Sequence, residues 1–302
     1  MTATLFTVLM CTLPVQSAVY ELNTTFDEPV SSGVGGRTML VEEITATWCP
    51  TCASIDPELI QVADGHGSRI ALLALHPTDG SDAFQPEASK HRIERLRLSL
   101  PDAGNATPAF IVEGGEERKG YDAWSQVQSD ILDTELMRQQ TSTLEFEVIE
   151  TPTGYRATVK QAQLMQAEDS QLTFLVTQHL KPVPEDAINP GGPHRDRVLV
   201  GLAECLLDNN TIQTSIGLEA NVSANCVEDF QIDFPAMASW SVVLVHEPIE
   251  EVIESGQRVQ TFGAVELAIR ERSSVSETTG VLGSVLLAGC VVLAAASIVR
   301  KK

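Results

Sequence analysis

The sequence has few basic residues. Its 302 residues include 20 Lys and Arg against 41 Asp and Glu, which gives a formal net charge of −21. Nucleic-acid binding relies on clustered Lys and Arg at the phosphates, so the composition excludes DNA and RNA as expected partners. The acidic excess has two interpretations: a solubilising surface, or a field that attracts cationic partners. The absence of a concentrated acidic block favours the solubilising surface.

Cysteine is also scarce, with six residues in the chain. Cys49 and Cys52 form a Cys-x-x-Cys pair, which can be zinc-binding, structural or redox-active. Zinc needs about four ligands, and the sequence lacks a second Cys-x-x-Cys or a His pair at ligand spacing. We therefore predict no metal and no cofactor. Together with Cys205 and Cys226, the pattern indicates two disulfides in an oxidising compartment.

Long hydrophobic runs occur at the two ends of the chain. Residues 280–299 carry no charge and precede the basic residues 300–302. About twenty helical residues span the hydrocarbon core, so this run predicts one C-terminal transmembrane helix, with a buried soluble helix as the alternative. The basic end predicts a cytoplasmic C-terminus on a single-pass cell-membrane protein whose bulk is extracytoplasmic. Residues 1–18 lack a basic start but otherwise resemble a signal peptide, with an uncleaved anchor as the alternative.

The pattern of hydrophobic residues changes near residue 140. Residues 38–139 read as strand, helix, strand, helix, hairpin and helix, which predicts a parallel-type sheet covered on both faces. Later residues form short alternating runs separated by Pro, Gly and Asn clusters, which indicates an antiparallel β-sandwich. The predicted organisation is an α/β domain at 19–140, an all-β domain at 141–270 and a polar stalk at 271–279.

The Cys-x-x-Cys pair lies where an apolar strand ends and a helix begins. A helix N-terminus presents free N–H groups and a partial positive charge, which stabilise a thiolate over a thiol. Cys49 is therefore the expected attacking sulfur, and Cys52 is the expected resolving sulfur one turn later. Pro50 suits the first helical turn because its missing N–H has no partner to lose.

Residues 40–52 read Leu-Val-Glu-Glu-Ile-Thr-Ala-Thr-Trp-Cys-Pro-Thr-Cys and resemble the active-site strand and turn of the thioredoxin family. Pro57 lies where that family has a helix-kinking proline, and Thr107-Pro108 lies where it has a cis-proline. The resemblance covers residues 38–139. It implies an α/β thioredoxin-like fold and thiol–disulfide oxidoreductase activity, and the cis bond is implied by the resemblance alone.

The resemblance also implies roles for single residues. The backbone of Thr107, before Pro108, would hold substrate chains in an extended pose, and Trp48 would belong to the same substrate-binding surface. Glu43 lies six residues before Cys49, at the position of the family's buried acid, where it would exchange a proton with the second thiol. The family usually has Asp there, and a solvated edge carboxylate is the alternative for Glu43.

A second resemblance extends over both halves of the chain. Residues 42–45, 194–199 and 240–245 are similar to segments of outer-membrane lipoproteins that join a thioredoxin-like half to a β-rich half. This chain departs from that family in its C-terminal hydrophobic run. It also lacks the small residue of a lipid-attachment box before Cys11.

Two weaker features have alternatives of their own. His76 ends a predicted strand on the same sheet edge as Cys49, where it would stabilise the thiolate or, as we favour, play a structural part. Cys205 and Cys226 flank an Asn-rich loop. A disulfide between them would close about twenty residues and stabilise the fold by around 3 kcal/mol, and two buried free thiols are the alternative.

Two functions follow from these features. The first is a membrane-anchored thiol–disulfide oxidoreductase that acts on thiols or disulfides of protein substrates with an unidentified redox partner. The second is a non-catalytic cell-surface binding or structural protein in which Cys49–Cys52 is a structural disulfide. An exposed sulfur at Cys49 favours the first function, and complete burial favours the second.

Overall fold

The computed structural model describes residues 17–271, of which 39% lie in strands and 21% in helices. The α-helices are α1 (Pro50–His66), α2 (Glu87–Arg97), α3 (Trp124–Met137) and α4 (Glu250–Glu254). The strands are β1 (Ser17–Tyr20), β2 (Val30–Ser31), β3 (Gly36–Ile44), β4 (Ile70–Leu75), β5 (Ala109–Val112), β6 (Arg118–Lys119), β7 (Thr143–Thr151), β8 (Gly154–Gln163), β9 (Ser170–Gln178), β10 (Lys181–Pro182), β11 (His194–Arg195), β12 (Val198–Leu206), β13 (Thr211–Ile216), β14 (Glu219–Asn221), β15 (Gln231–Pro235), β16 (Trp240–Pro248) and β17 (Gly263–Ile269).

A ten-stranded mixed sheet forms the centre of the fold. Its order is β1-β17-β16-β9-β12-β4-β3-β5-β6, and β13 pairs with β12 outside this path. Strand β4 lies parallel to β3 on one side and parallel to β12 on the other, where Ala74 pairs with Val198. Ala264 of β17 also pairs with Gly36 of β3, so the sheet curves back on itself. A second sheet has five strands in the order β14-β15-β8-β7-β2.

This architecture corrects the fold prediction. An α/β thioredoxin-like fold followed by a separate all-β, sandwich-like domain is wrong, because one sheet contains strands from before and after residue 140 and strand outweighs helix. The physical reason lies in β4, whose six residues are all buried and which needs a partner on both sides. Strand β12 supplies the second partner. The described residues belong to one compact unit.

The hydrophobic core lies on both faces of the ten-stranded sheet. On one face, Leu40 of β3 and Leu175 of β9 belong to a cluster with Ile93 of α2. On the opposite face, α1 and α3 cover the end formed by β3, β4 and β5, and the five-stranded sheet covers the end formed by β9, β12 and β16. The rings of Phe146 and Phe174, with centroids 5.5 Å apart, join the two sheets.

Two glycines permit the contact between β3 and β17. Gly36 has φ 144° and Gly263 has φ 151°, which side-chain-bearing residues rarely adopt. A Cβ at Gly36 would collide with the carbonyl oxygen of Ser142, and one at Gly263 would lie 2.6 Å from the carbonyl oxygen of Gly36. The sheet closes at this point because both positions are glycine.

The predicted terminal segments lie largely outside the described residues. These are residues 1–16 of the predicted signal peptide, nearly all of the stalk, the predicted span 280–299 and the basic end 300–302. Ser17–Tyr20, at the end of the predicted signal peptide, form β1 and pair in parallel with β17. Between residues 17 and 271, each helix is too short or too polar to cross a membrane.

Candidate functional site

Cys49 and Cys52 form a disulfide at the start of α1. Cys49 is the N-cap residue, Pro50 opens the helix, and the Sγ of Cys49 accepts the backbone N–H of Cys52 at 3.1 Å. Cys49 is 3% exposed and Cys52 is fully buried. The disulfide is therefore at the positive end of the helix dipole, with Cys49 nearer the surface.

Two aspartates fix the turn that leads into Cys49. The indole N–H of Trp48 donates to Asp79 at 3.0 Å, and the backbone N–H of Thr47 donates to Asp82 at 2.7 Å. Trp48 is partly buried and packs against the apolar cluster that contains both cysteines. Its ring therefore has a defined position beside the disulfide.

The Thr107–Pro108 peptide bond is cis and lies directly before β5. Ala109, the first residue of β5, pairs with Ile44, the last residue of β3. The chain continues from Ile44 to the cysteines, so Thr107 and Pro108 lie at the same edge of the sheet as the Cys-x-x-Cys turn. Thr107 is half-buried and Pro108 is buried.

Glu43 lies on β3 between β4 and β5, and its side chain is buried. Burial raises the pKa of Glu43 well above its usual range, the nearby Asp56 raises this pKa further, and Arg195 opposes the rise. The carboxyl groups of Glu43 and Asp56 are close enough to share a proton. A buried carboxyl group with a raised pKa is suited to hold a proton, in contrast to the solvated edge carboxylate considered from the sequence.

Asp56 was not among the predicted site residues, and Arg195 was predicted only as part of the segment 194–199, with no role at the site. Asp56 follows Cys52 by four residues on α1, so their side chains share a helix face. Burial raises the pKa of Asp56, although Arg195, whose Nε lies 3.7 Å from its carboxylate, opposes the rise. Arg195 also donates to the carbonyl oxygen of Thr47 at 3.1 Å. The i, i+4 spacing from Cys52 is a sequence signal that indicates Asp56, whereas Arg195 comes from the distant strand β11.

His76 is fully buried at the end of β4. Its Nδ1 lies 2.8 Å from the carboxylate of Asp82. Burial alone would raise the pKa of Asp82, but the hydrogen bond and charge of His76, together with the backbone N–H groups of Thr47 and Phe84, lower it to about 2. Asp82 is therefore ionised and orients the imidazole of His76.

Glu42 points to the other face of the sheet from Glu43, as the strand alternation predicts. Its carboxylate lies 2.5 Å from the guanidinium of Arg92 on α2, and the same guanidinium contacts Glu247 of β16 at 2.8 Å. All three side chains are buried. This ion-pair network joins α2 to two strands and is separate from the cysteines.

Cys205 and Cys226 form a second disulfide with Cα atoms 6.0 Å apart. Both residues are buried in the hydrophobic core between the two sheets, not in the cluster that contains Cys49 and Cys52. In the described part of the chain, no group of three or more His, Cys, Asp or Glu side chains is arranged to hold a metal ion.

No protein-family profile and no curated protein sequence matches the chain. Among solved structures, HBP35 of Porphyromonas gingivalis is similar over 80% of this chain and 78% of its own, with a TM-score of 0.51 and 14% identity. A structural-genomics protein of Agrobacterium tumefaciens aligns over 79% of this chain and 96% of its own, with a TM-score of 0.46 and 12% identity. The likeness to HBP35 concerns the fold alone.

Proposed function

We propose that the protein is an extracytoplasmic thiol–disulfide oxidoreductase that acts on protein cysteines through Cys49 and Cys52. The observation that carries this proposal is the N-cap position of Cys49, whose Sγ accepts the N–H of Cys52. In the reduced form, the same N–H and the helix dipole favour the thiolate of Cys49. Cys52 lies deeper, as a resolving thiol does.

The reaction in the reductive direction has two steps. The Cys49 thiolate attacks a substrate disulfide, one substrate sulfur leaves as a thiolate, and a mixed disulfide forms. Cys52 then loses its proton and attacks the Sγ of Cys49, which releases the second substrate thiolate and restores the Cys49–Cys52 disulfide. The cysteine pair supplies two electrons and the substrate becomes a dithiol. The reverse sequence oxidises a substrate, and a dithiol or disulfide redox partner resets the pair.

The surrounding residues have roles in this proposal. Glu43 exchanges a proton with Cys52, which the raised pKa of its buried carboxyl group supports. Thr107, beside the cis-proline Pro108, presents backbone groups to an extended substrate segment, and Trp48 borders the same surface. These roles are supported by the common sheet edge that holds the cis bond and the cysteine turn.

The proposed compartment lies outside the cytoplasm. Two disulfides in one chain are typical of oxidising compartments and rare in the cytosol. Membrane attachment rests on residues outside the described range and stays a prediction from the sequence.

The trapping of substrates by a Cys52→Ser variant tests the proposal. Without the resolving thiol, Cys49 should remain joined to its partners in mixed disulfides, which non-reducing electrophoresis and mass spectrometry detect. A Cys49→Ser variant, which lacks the attacking sulfur, is the matched control and should trap none. Equal recovery of partners from both variants, or from neither, would count against the proposal.

A second candidate function has one observation in its favour. Cys49 is only 3% exposed, and low exposure is typical of structural disulfides. In this alternative the protein is a non-catalytic cell-surface binding or structural protein, and Cys49–Cys52 fastens the start of α1. The reduction potential of the pair separates the two functions, because structural disulfides resist reduction.

A further inference from the structure

A small polar cavity lies behind the Cys-x-x-Cys helix. It has a volume of about 10 Å³, close to the space that one water molecule needs. Strands β3 and β4, helix α1 and the start of the β11–β12 segment enclose it. Its charged lining consists of Glu43, Asp56, His76, Arg195, Asp196 and Arg197.

Several polar atoms around this cavity have no hydrogen-bond partner within the described chain. They are Glu43 Oε1, Thr45 Oγ1, Asp56 Oδ1, His76 Nε2 and Arg195 Nε. Buried polar atoms are nearly always paired in native proteins, with protein groups or with ordered water. This set combines a donor, acceptors and a hydroxyl that does both. It matches a ligand that is small and able to donate and accept, which is water.

We propose that the cavity binds one water molecule that connects the Glu43–Asp56 carboxyl pair to His76 and forms a proton relay for Cys52, which lies one helical turn before Asp56 on α1. The Nε–H of Arg195 donates to this water. The water donates towards the Oδ1 of Asp56 and the Nε2 of His76. In the neutral form of the ring, Nδ1, 2.8 Å from the ionised Asp82 carboxylate, is the donor and Nε2 is the acceptor.

The relay rests on the proposed thiol–disulfide chemistry and adds the group that stores the proton. When the Cys52 thiol ionises, its proton passes to the carboxyl pair, whose Asp56 shares the helix face with Cys52. The water transfers a proton to His76 Nε2, and the imidazolium is stabilised by the ionised Asp82. No electrons move in this step. The proton returns to Cys52 when its thiol is formed again.

The other charged groups at the cavity have partners of their own. Asp196 lies 2.7 Å from His179 and 3.1 Å from Arg197. Arg197 also contacts Asp64 at 2.6 Å. Arg195 is the positive group that faces the carboxyl pair directly. One competing route exists, since the Asp56 side chain is 17% exposed and can exchange protons with solvent without His76.

The reaction of reduced protein with a chromogenic aromatic disulfide tests the relay. Attack by Cys49 releases one coloured thiolate in a first phase, and attack by Cys52 releases another in a second phase. His76→Asn should slow the second phase at pH 7 by about tenfold or more, because general-base catalysis typically contributes at least that much. The same substitution should change the rate of the first phase by no more than about twofold.

A matched control is available on α2. His91 lies 3.1 Å from Glu204 and forms a partly buried His–carboxylate contact outside the cavity. His91→Asn should leave both phases unchanged. An unchanged second phase in His76→Asn would overturn the relay and assign proton exchange to Asp56 and solvent.

If His76→Asn does not fold, the pH dependence of the two phase rates in the wild-type protein tests the relay instead. With the relay, the second-phase rate should show an inflection with pH that the first-phase rate does not share. A second phase that rises in proportion to hydroxide, with no inflection, would overturn the relay. A wild-type protein that shows no first phase would instead count against the proposed function.

Discussion

At the residue scale, three carboxyl groups near the cysteines have pKa values shifted in different directions because their surroundings differ. Burial raises the pKa of Glu43 and of Asp56, and the two carboxyl groups also influence each other's pKa. Asp82 is also buried, but several donors lower its pKa to about 2. Two of the groups are therefore suited to hold or pass a proton, and the third is suited to remain charged.

Replacement of Asp82 tests this difference. Asp82→Asn should destabilise the protein by ~1–3 kcal/mol at pH 7, because a charged acceptor of buried donors is lost. The folded-state pKa of Asp82 is about 2, below its usual 3.8, so its contribution is present above about pH 4 and disappears as the pH falls towards 2. Urea unfolding at several pH values measures the difference between variant and wild type. If Asp82→Asn loses as much stability near pH 2 as at pH 7, the ionised carboxylate of Asp82 is not the source of the stabilisation.

At the element scale, α2 is attached to the sheet by a buried ion network as well as by apolar contacts. Arg92 is held between Glu42 of β3 and Glu247 of β16. Burial would raise the pKa of Glu247, but Arg92 and Arg95 outweigh this effect and lower it to about 2. Both strands belong to the central sheet, one from each half of the chain. The helix therefore links segments that are distant in sequence.

Removal of Arg92 should be costly. Arg92→Ala removes the cation that contacts Glu42, leaves Glu247 with Arg95 alone, and should destabilise the protein by about 3–5 kcal/mol. The control is Lys90→Ala on the same helix, because Lys90 is exposed and its contact with Glu87 is 3.5 Å. We expect the control to change stability by less than about 0.5 kcal/mol. Urea unfolding measures the free energy of unfolding of both variants. Similar losses of stability in the two variants would contradict the stabilising role of the Arg92 network.

At the scale of the whole molecule, local sequence patterns predicted where strands and helices lie better than they predicted which strands pair. The predicted strand and helix around the cysteines are present as β3 and α1. The pairing of Val198 with Ala74 was not predicted, because hydrophobic alternation does not identify a partner more than 120 residues away. At the candidate site, too, contacts between residues distant in sequence were not predicted. Cys49 and its helix were evident from the sequence, whereas Arg195 reaches the site only through that distant pairing.

The shared sheet predicts that the described region unfolds as a unit. Calorimetry of residues 17–271 with both disulfides intact should give one transition whose calorimetric and van't Hoff enthalpies agree. The reason is that β4 and β12, from the two halves of the chain, are neighbours in one sheet. Two resolved transitions would show that the halves unfold separately and would contradict this expectation.

The reduction potential of the Cys49–Cys52 pair tests the central claim most directly. Thiol labelling across a redox-buffer series, read by mass spectrometry, follows this pair and the Cys205–Cys226 pair in the same sample. For Cys49–Cys52 we predict a potential between about −120 and −270 mV, the range of working dithiol enzymes, with Cys205–Cys226 below about −300 mV as the internal reference. If Cys49–Cys52 also lies below about −300 mV, it is a structural disulfide and the proposed oxidoreductase function is wrong.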